Sequence, residues 1–341
     1  MRLLIVEKHD FVRKLKDLDL VQPDTEIVYT LGTGFWRFKA PSLVYKDIPF
    51  TDQPLETIPQ NIKRLRPMLD INGQCMFGTD KDSSSEEDKQ KLTEMVDYIK
   101  TKMPEYEEII CMVDVDREGF GAAEQLLTKI NTGEMPPVSC MYLSSYTPEA
   151  IRSEWKNRKQ NLWTESSYAQ ELADRQLAKM TFDYWWNANS SVVFSELCKK
   201  SGVEDSVGLS KYEFMLVCAI NEFSMPLGVF DIFQFMQNWK KKNHQKNDYF
   251  GRIGSPRSNQ DIFNSIIKCG LIDTSKDEHQ LLYSISEKGK KFISMLHPET
   301  YDRDLPFKLN EWIESKDYGA MKKYIETVFK RQLSYQNNVN Y

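Results

Sequence analysis

The apolar positions of this chain follow two spacings, and the alternation between them predicts its elements. Arg2 to Val6 is a short apolar run rich in branched side chains, followed by a polar turn and then by apolar positions at helical intervals from Phe11 to Leu20. That order predicts strand, loop, helix. A second such unit is predicted far downstream: Glu107 to Val113 reads as a buried strand, Asp114 to Gly119 as its polar exit, and Phe120 to Ile130 as a helix with Ala122, Leu126, Leu127 and Ile130 on its apolar face. Two strands carrying acids at their carboxyl ends, each followed by a helix, predict an open α/β sheet with its site at the strand ends.

Between these units, the acidic and serine-rich stretch from Asp80 to Lys91 reads as an exposed loop entering a helix from Lys91 to Met103. From Ser145 onward the pattern turns mainly helical. Thr147 is placed to cap a helix whose first residue is Pro148, and Tyr168 to Phe194 is a long amphipathic stretch. Lys240 to Asn247 is a polar, basic break. Beyond it come a helical pattern from Asn259 to Cys269, a turn at Gly270, a hairpin around Asp277 and Glu278, and a helical pattern from Glu287 to Leu296, which together make a winged-helix pattern; Leu309 to Leu333 is helical again. The expected organisation is an α/β domain over 1–143, a helical domain over 144–239, and a winged-helix-like and C-terminal helical segment over 240–335.

With 341 residues, 40% of them hydrophobic and 12% aromatic, the chain can bury a core and divide into two or more domains. No apolar run approaches the roughly 18 to 20 residues of a membrane helix, and the opening from Met1 to Glu7 meets a charge too early for a signal peptide. The expectation is a cytoplasmic protein with no membrane partner. The six cysteines include no C-x-x-C pair and several sit in apolar runs, so they are expected reduced and buried, with no zinc ribbon. A net charge of −5 argues against wholesale attraction to nucleic acid, but Lys240 to Lys242, Arg252 to Arg257 and Lys288 to Lys291 form local basic clusters. A charge run by itself is usually a solvated face.

Four acids are informative because of where they fall: Glu7 after the first strand, and Asp114, Asp116 and Glu118 after the second. Alternate residues of an extended exit point the same way, which would turn Asp114 and Asp116 to one side. Two uncompensated carboxylates roughly 4 Å apart repel by about 4 kcal/mol at an effective dielectric near 20. A divalent cation would relieve that cost, and hard oxygen donors suit Mg²⁺ or Mn²⁺, with Asp114, Asp116 and Glu118 as the expected ligands. The bland alternative is a solvated polar turn.

Leu3 to Lys8 followed by a helix resembles the opening of the Toprim domain of type IA DNA topoisomerases, and Val113-Asp114-Val-Asp116-Arg117-Glu118-Gly119 resembles its acidic D-x-D-R-E-G signature. Ile27 to Gly32 is similar to the strand that in the family leads into a Gly-His pair, with Thr33 standing where the His would be. Leu143 to Trp155 and Tyr168 to Asn187 resemble the helices after Toprim, the family's arginine pair reduced here to Asp174-Arg175. Val207 to Glu213 sits at the serine-glycine-arginine stretch without its arginine, and Ile253 to Arg257 resembles the Gly-x-Gly-Thr-Pro segment. The arch that bears the family's nucleophilic tyrosine has no counterpart: only the short stretch from Phe223 to Arg252 joins the flanking segments, and Tyr249 has the wrong neighbours.

What the resemblance implies is a Toprim protein that binds DNA, single-stranded in preference, without strand passage, as a replication, plasmid or phage accessory. Arg117, Arg175 and Arg257 are then the expected nucleic-acid contacts. Tyr184, Trp185 and Trp186 could stack on bases, although on a helix such residues are more often core. An alternative is a metal-dependent nuclease, in which Asp114 and Asp116 hold the cation, Glu7 is general acid or base and Lys8 stabilises phosphate charge. A third is a partner-binding decoy of a topoisomerase.

Overall fold

The computed structural model describes residues 1–30, 34–54, 56–59, 67–71, 74–78, 85–203, 208–242, 251–256, 258–277 and 280–338. Contacts divide the chain into two units, one of residues 1–39 and 55–177, the other of residues 40–54 and 178–341.

In the first unit, β1 (Arg2–Val6), α1 (His9–Asp17) and β2 (Thr25–Tyr29) are followed by a small pair, β3 (Trp36–Phe38) and β4 (Thr57–Pro59), then by β5 (Pro67–Ile71), β6 (Gln74–Gly78), α2 (Ser85–Lys102), β7 (Glu108–Met112), α3 (Arg117–Ile130), β8 (Val138–Cys140) and α4 (Pro148–Asn157). The six-stranded sheet has the order β6-β5-β2-β1-β7-β8, with β2, β1, β7 and β8 parallel and the β5–β6 hairpin antiparallel at one edge. Alternate strand residues feed opposite layers. Leu3, Ile5, Val28, Ile109 and Cys111 pack with α2 and α3, whereas Leu4, Val6, Ile27, Ile110 and Met112 pack with Phe11, Val12 and Leu15 of α1 and Ile151 of α4. Strands buried on both faces read as continuous apolar runs, which is why β1 and β7 are visible in the sequence.

Local chemistry sets the helix ends. The apolar spacing of α1 runs on to Leu20, but the helix stops earlier because Asp19 turns left-handed (φ 56) and the N–H groups of Asp19 and Leu20 return to the carbonyls of Lys16 and Leu15. α2 begins at Ser85, not Lys91: Glu86, Glu87 and Asp88 form its acidic first turn, where negative charge meets the positive end of the helix dipole. Thr147 caps α4 as expected, accepting from the Ala150 N–H at 3.3 Å.

The amino ends of the strands hold two buried carboxylates that sequence reading did not foresee. Glu26 accepts from Tyr98 at 2.7 Å and Tyr106 at 2.5 Å. Burial, then the bond to Glu26, pushes the Tyr98 hydroxyl up to about 12. Glu108 accepts from Ser139 at 2.7 Å and from the buried Arg158 at 2.8 Å. Each carboxylate has its partners, as buried charge requires.

α5 (Tyr168–Ser201) begins in the first unit and continues in the second, followed by α6 (Lys211–Ile220), β9 (Leu227–Gly228), α7 (Val229–Gln237), α8 (Asn259–Lys268), β10 (Ile272–Lys276), β11 (Leu281–Ile285), α9 (Glu287–Ser294), α10 (Leu305–Ser315) and α11 (Tyr318–Asn338). β9 pairs with β11 and β11 with β10, giving a three-stranded antiparallel sheet in the order β10-β11-β9. The helical tail breaks into α10 and α11 at Lys316, which is left-handed (φ 55). Trp185 and Trp186 are core, not a stacking platform: Trp186 lies 5.5 to 6.0 Å, ring to ring, from Phe194, Phe214 and Phe329, and donates to the Leu209 carbonyl at 3.1 Å.

Residues 40–54 join this second core. Ile48 is buried in it, Phe50 exchanges two 2.8 Å hydrogen bonds with Asn189, the Asp52 carbonyl accepts from Trp185 at 2.8 Å, and Thr51 donates to Glu326 at 3.0 Å. The described cysteines, Cys111, Cys140, Cys198, Cys218 and Cys269, are all free and buried. No described helix is long and apolar enough to cross a membrane.

Candidate functional site

The parallel register of β1 and β7 pairs Val6 with Met112, so the chain emerges from both strands side by side at the carboxyl edge of the sheet. Glu7, first out of β1, accepts a hydrogen bond on Oε2 from the Asp114 backbone N–H at 3.0 Å. Lys8 bonds through Nζ to Asp114 Oδ2 and lies 4.0 Å from Glu7 Oε1. Asp114 Oδ1 accepts from the Tyr146 hydroxyl at 2.9 Å. Two carboxylates, an ammonium and a phenol thus meet at one place.

The surroundings tune each group. Burial raises the Glu7 carboxyl above its ordinary value; the Asp114 N–H and the Lys8 charge oppose the shift, and the charges of Asp114 and Asp116 reinforce it. For Lys8 burial acts to lower the value, but the bond to Asp114 and the charges of Glu7, Asp114 and Asp116 outweigh it and hold the ammonium charged. Burial first, then the bond to Asp114, pushes the Tyr146 hydroxyl well above the usual phenol range.

Asp116 acts on this place through its charge, but its carboxylate is bonded elsewhere. The strand ends at Met112: the Asp116 N–H turns back to the Asp114 carbonyl at 2.8 Å, and the Asp116 carboxylate caps α3, accepting from the Gly119 N–H at 2.8 Å. Alternation along a strand therefore does not apply to Asp114 and Asp116. Arg117 is half-buried at the start of α3, and Glu118 is exposed in its first turn, where the helix dipole favours an acid. Gly119 is needed for close approach. A Cβ there would lie 2.6 Å from the Asp114 carbonyl oxygen and 3.1 Å from Glu7 Oε2.

All four acids are among the described residues, and among those residues no group of three or more His, Cys, Asp or Glu side chains is gathered to hold a metal ion. As arranged, both Asp114 oxygens and one Asp116 oxygen have partners within the chain. The Lys8 ammonium already neutralises Asp114, and Asp116 is committed to its helix cap. The repulsion that argued for a cation is relieved from within the chain.

Arg175, half-buried on α5, pairs with Glu171 at 2.8 Å. Arg257, Thr33 and Tyr249 lie outside the described residues. Sequence reading missed Tyr146, whose signal was its place immediately before the Thr147 cap. Its ring stacks on that of Phe11 (4.9 Å, 26°), and Lys14 Nζ sits 4.9 Å from its centre. The rings of His9 and Tyr29 lie 4.1 Å apart, centroid to centroid.

A comparison with solved structures finds similarity to the full-length topoisomerase I of Thermotoga maritima, at a TM-score of 0.36 and 16% identity, over 64% of this chain and 29% of that one. The match thus spans less than a third of that protein. No family model matches the chain, and no curated protein does.

Proposed function

We propose that this chain is a Toprim-type protein that binds single-stranded DNA across the carboxyl edge of the first unit's sheet, without strand passage. The observation that carries the reading is the Lys8–Asp114–Tyr146 arrangement: an ammonium half-exposed beside aromatic rings, on the two strand ends whose residues resemble the Toprim motifs. A backbone phosphate would take over the Lys8 ammonium. An unstacked base would find the ring of Tyr146, 38% exposed, whereas a duplex offers no free base face. In the second unit, the order α6, β9, α7, α8, β10, β11 supports a winged-helix module reaching back to Lys211 and including β9, of which the pattern read over Asn259 to Leu296 covers the later part.

The test is a fluorescence-anisotropy titration of the whole chain against single-stranded and duplex oligonucleotides over a range of salt. Tighter binding to the single strand is expected, with affinity falling by about 0.7 log units per tenfold salt for each phosphate neutralised. Lys8→Ala should weaken binding and flatten that slope by about one such contact. Absence of binding at micromolar protein and low salt would overturn the reading.

A further inference from the structure

Between α7 and α8 the chain is long in sequence but short in space. Trp239 and Gly251 exchange backbone hydrogen bonds at 3.1 and 2.9 Å, and the Ile253 N–H returns to the Met236 carbonyl at 2.8 Å, which brings the start of α8 back toward the end of α7. Behind α8, Phe263 meets Phe233 of α7 and Tyr283 of β11 edge to face, at 5.7 and 4.8 Å between centroids. That packing leaves the other face of the helix in solvent. Gln260, Asn264 and Lys268, each four residues from the next, form an exposed stripe along it. Gln260 Nε2 donates to Asn264 Oδ1 at 2.8 Å, leaving Gln260 Oε1 as an acceptor and Asn264 Nδ2 as a donor. Beyond Lys268, the exposed Lys288 runs beside Gly270, with its Cδ 4.0 Å from where a Cβ would stand there, and Ser286 ties that turn down by donating to the Gly270 carbonyl at 2.7 Å. Lys276 is exposed on β10, the outer strand of the hairpin that follows α8. Asp261 is the acid on this face of the helix.

We propose that α8 is a second nucleic-acid element: it enters the major groove of duplex DNA and reads an adenine through Gln260 and Asn264, with Lys268, Lys276 and Lys288 on the flanking phosphates. This rests on the winged-helix reading of the second unit, not on single-strand binding by the first. The major groove admits an α-helix, and in a helix-turn-helix pair the early residues of the second helix meet the base edges. Adenine shows N7 as an acceptor and its N6 amino group as a donor there, the pattern that side-chain amides match. Gln260 Oε1 accepts from N6 and Asn264 Nδ2 donates to N7. Their mutual bond already holds the two amides together, so less side-chain freedom is lost when the base arrives. Asp261 turns phosphate away from the first turn of α8, which favours base edges at that end and leaves the backbone to the lysines. A single strand has no groove to seat the helix.

The experiment titrates the whole chain, by fluorescence anisotropy over a salt series, against blunt duplexes with adenine-containing or all-G·C cores in identical flanks, and against the separate strands. The duplexes with adenine are expected to bind roughly tenfold more tightly than the all-G·C duplex. Gln260→Ala with Asn264→Ala should erase that preference while leaving single-strand affinity and the melting temperature unchanged. Lys268→Ala or Lys288→Ala should weaken both duplexes alike and flatten the salt slope by about 0.9. Lys8→Ala should leave duplex binding as it was. No duplex binding at low salt and micromolar protein would overturn the proposal, as would equal affinity for the two cores or a preference that survives in the double variant. Duplex binding lost in Lys8→Ala would overturn it too, by assigning the duplex to the strand ends of the first unit. Loss of single-strand binding alone, with the duplex preference intact, would sink the first unit's reading and leave this one standing.

Discussion

Replacing Gly119 with alanine sets two magnitudes of opposite sign against each other. In an unconstrained helix, glycine to alanine stabilises by about 1 kcal/mol. At Gly119 the new Cβ falls 2.6 Å from the Asp114 carbonyl oxygen, against roughly 3.3 Å for a close carbon–oxygen contact, so the start of α3 or the Asp114 turn must give way by about 0.7 Å. Overpacking of that kind costs about 1–3 kcal/mol, which leaves a net loss of up to about 2 kcal/mol. The same shift breaks the bond from the Asp114 N–H to Glu7 that ties the two strand exits together. Urea unfolding should therefore show a lower midpoint at unchanged slope, and affinity for single-stranded DNA should fall by roughly tenfold, equivalent to about 1.4 kcal/mol. An unfolding free energy raised by about 1 kcal/mol with affinity intact would show that α3 does not press on the site, and would refute the argument.

Glu7→Gln should stabilise the protein near neutral pH. A carboxyl raised by burial favours the folded state while protonated, and that contribution is lost as pH rises from the ordinary value of 4.5 through the raised one, so the advantage of Gln should appear over that interval and vanish at lower pH in pH-dependent urea melts. Lys8→Met should lower the melting temperature and make it respond to millimolar Mg²⁺, because Asp114 loses its internal counter-charge; a parent more responsive to Mg²⁺ than the variant would contradict the reading of Lys8 as that charge. Lys316→Gly should raise stability by about 0.5 kcal/mol in urea melts, since a left-handed lysine costs roughly 1 kcal/mol and the looser unfolded chain returns part of it.

The parts of the molecule that were legible in the sequence are those decided locally. β1 and β7 announce themselves as apolar runs, and the acids after them follow at once, so Glu7, Lys8 and Asp114 could be named together. Asp116 could not be placed, because whether it continues an extended exit or caps α3 depends on where the strand stops. From Ser85 on, the loop reading of Asp80 to Lys91 fails for a related reason, since acids that look solvated also suit the first turn of a helix; residues 80–84 lie outside the described residues. Tyr146 escaped because its role is set by Phe11 and Asp114, both remote in sequence. Nothing periodic marks 40–54, whose place depends on Asn189 and Glu326.

Those fifteen-odd residues decide how the molecule can be taken apart. The chain leaves the first unit after Lys39, supplies Ile48, Phe50 and Asp52 to the core around Trp185, and returns in time for β4 to pair with β3. Any gene fragment that ends near residue 177 would therefore carry a loose apolar strap, and the complementary fragment would have an open slot where Asn189 and Trp185 lose their partners. Neither half is a self-sufficient module, and recombination at one joint cannot transplant it; the strap would have to travel with the helices it serves.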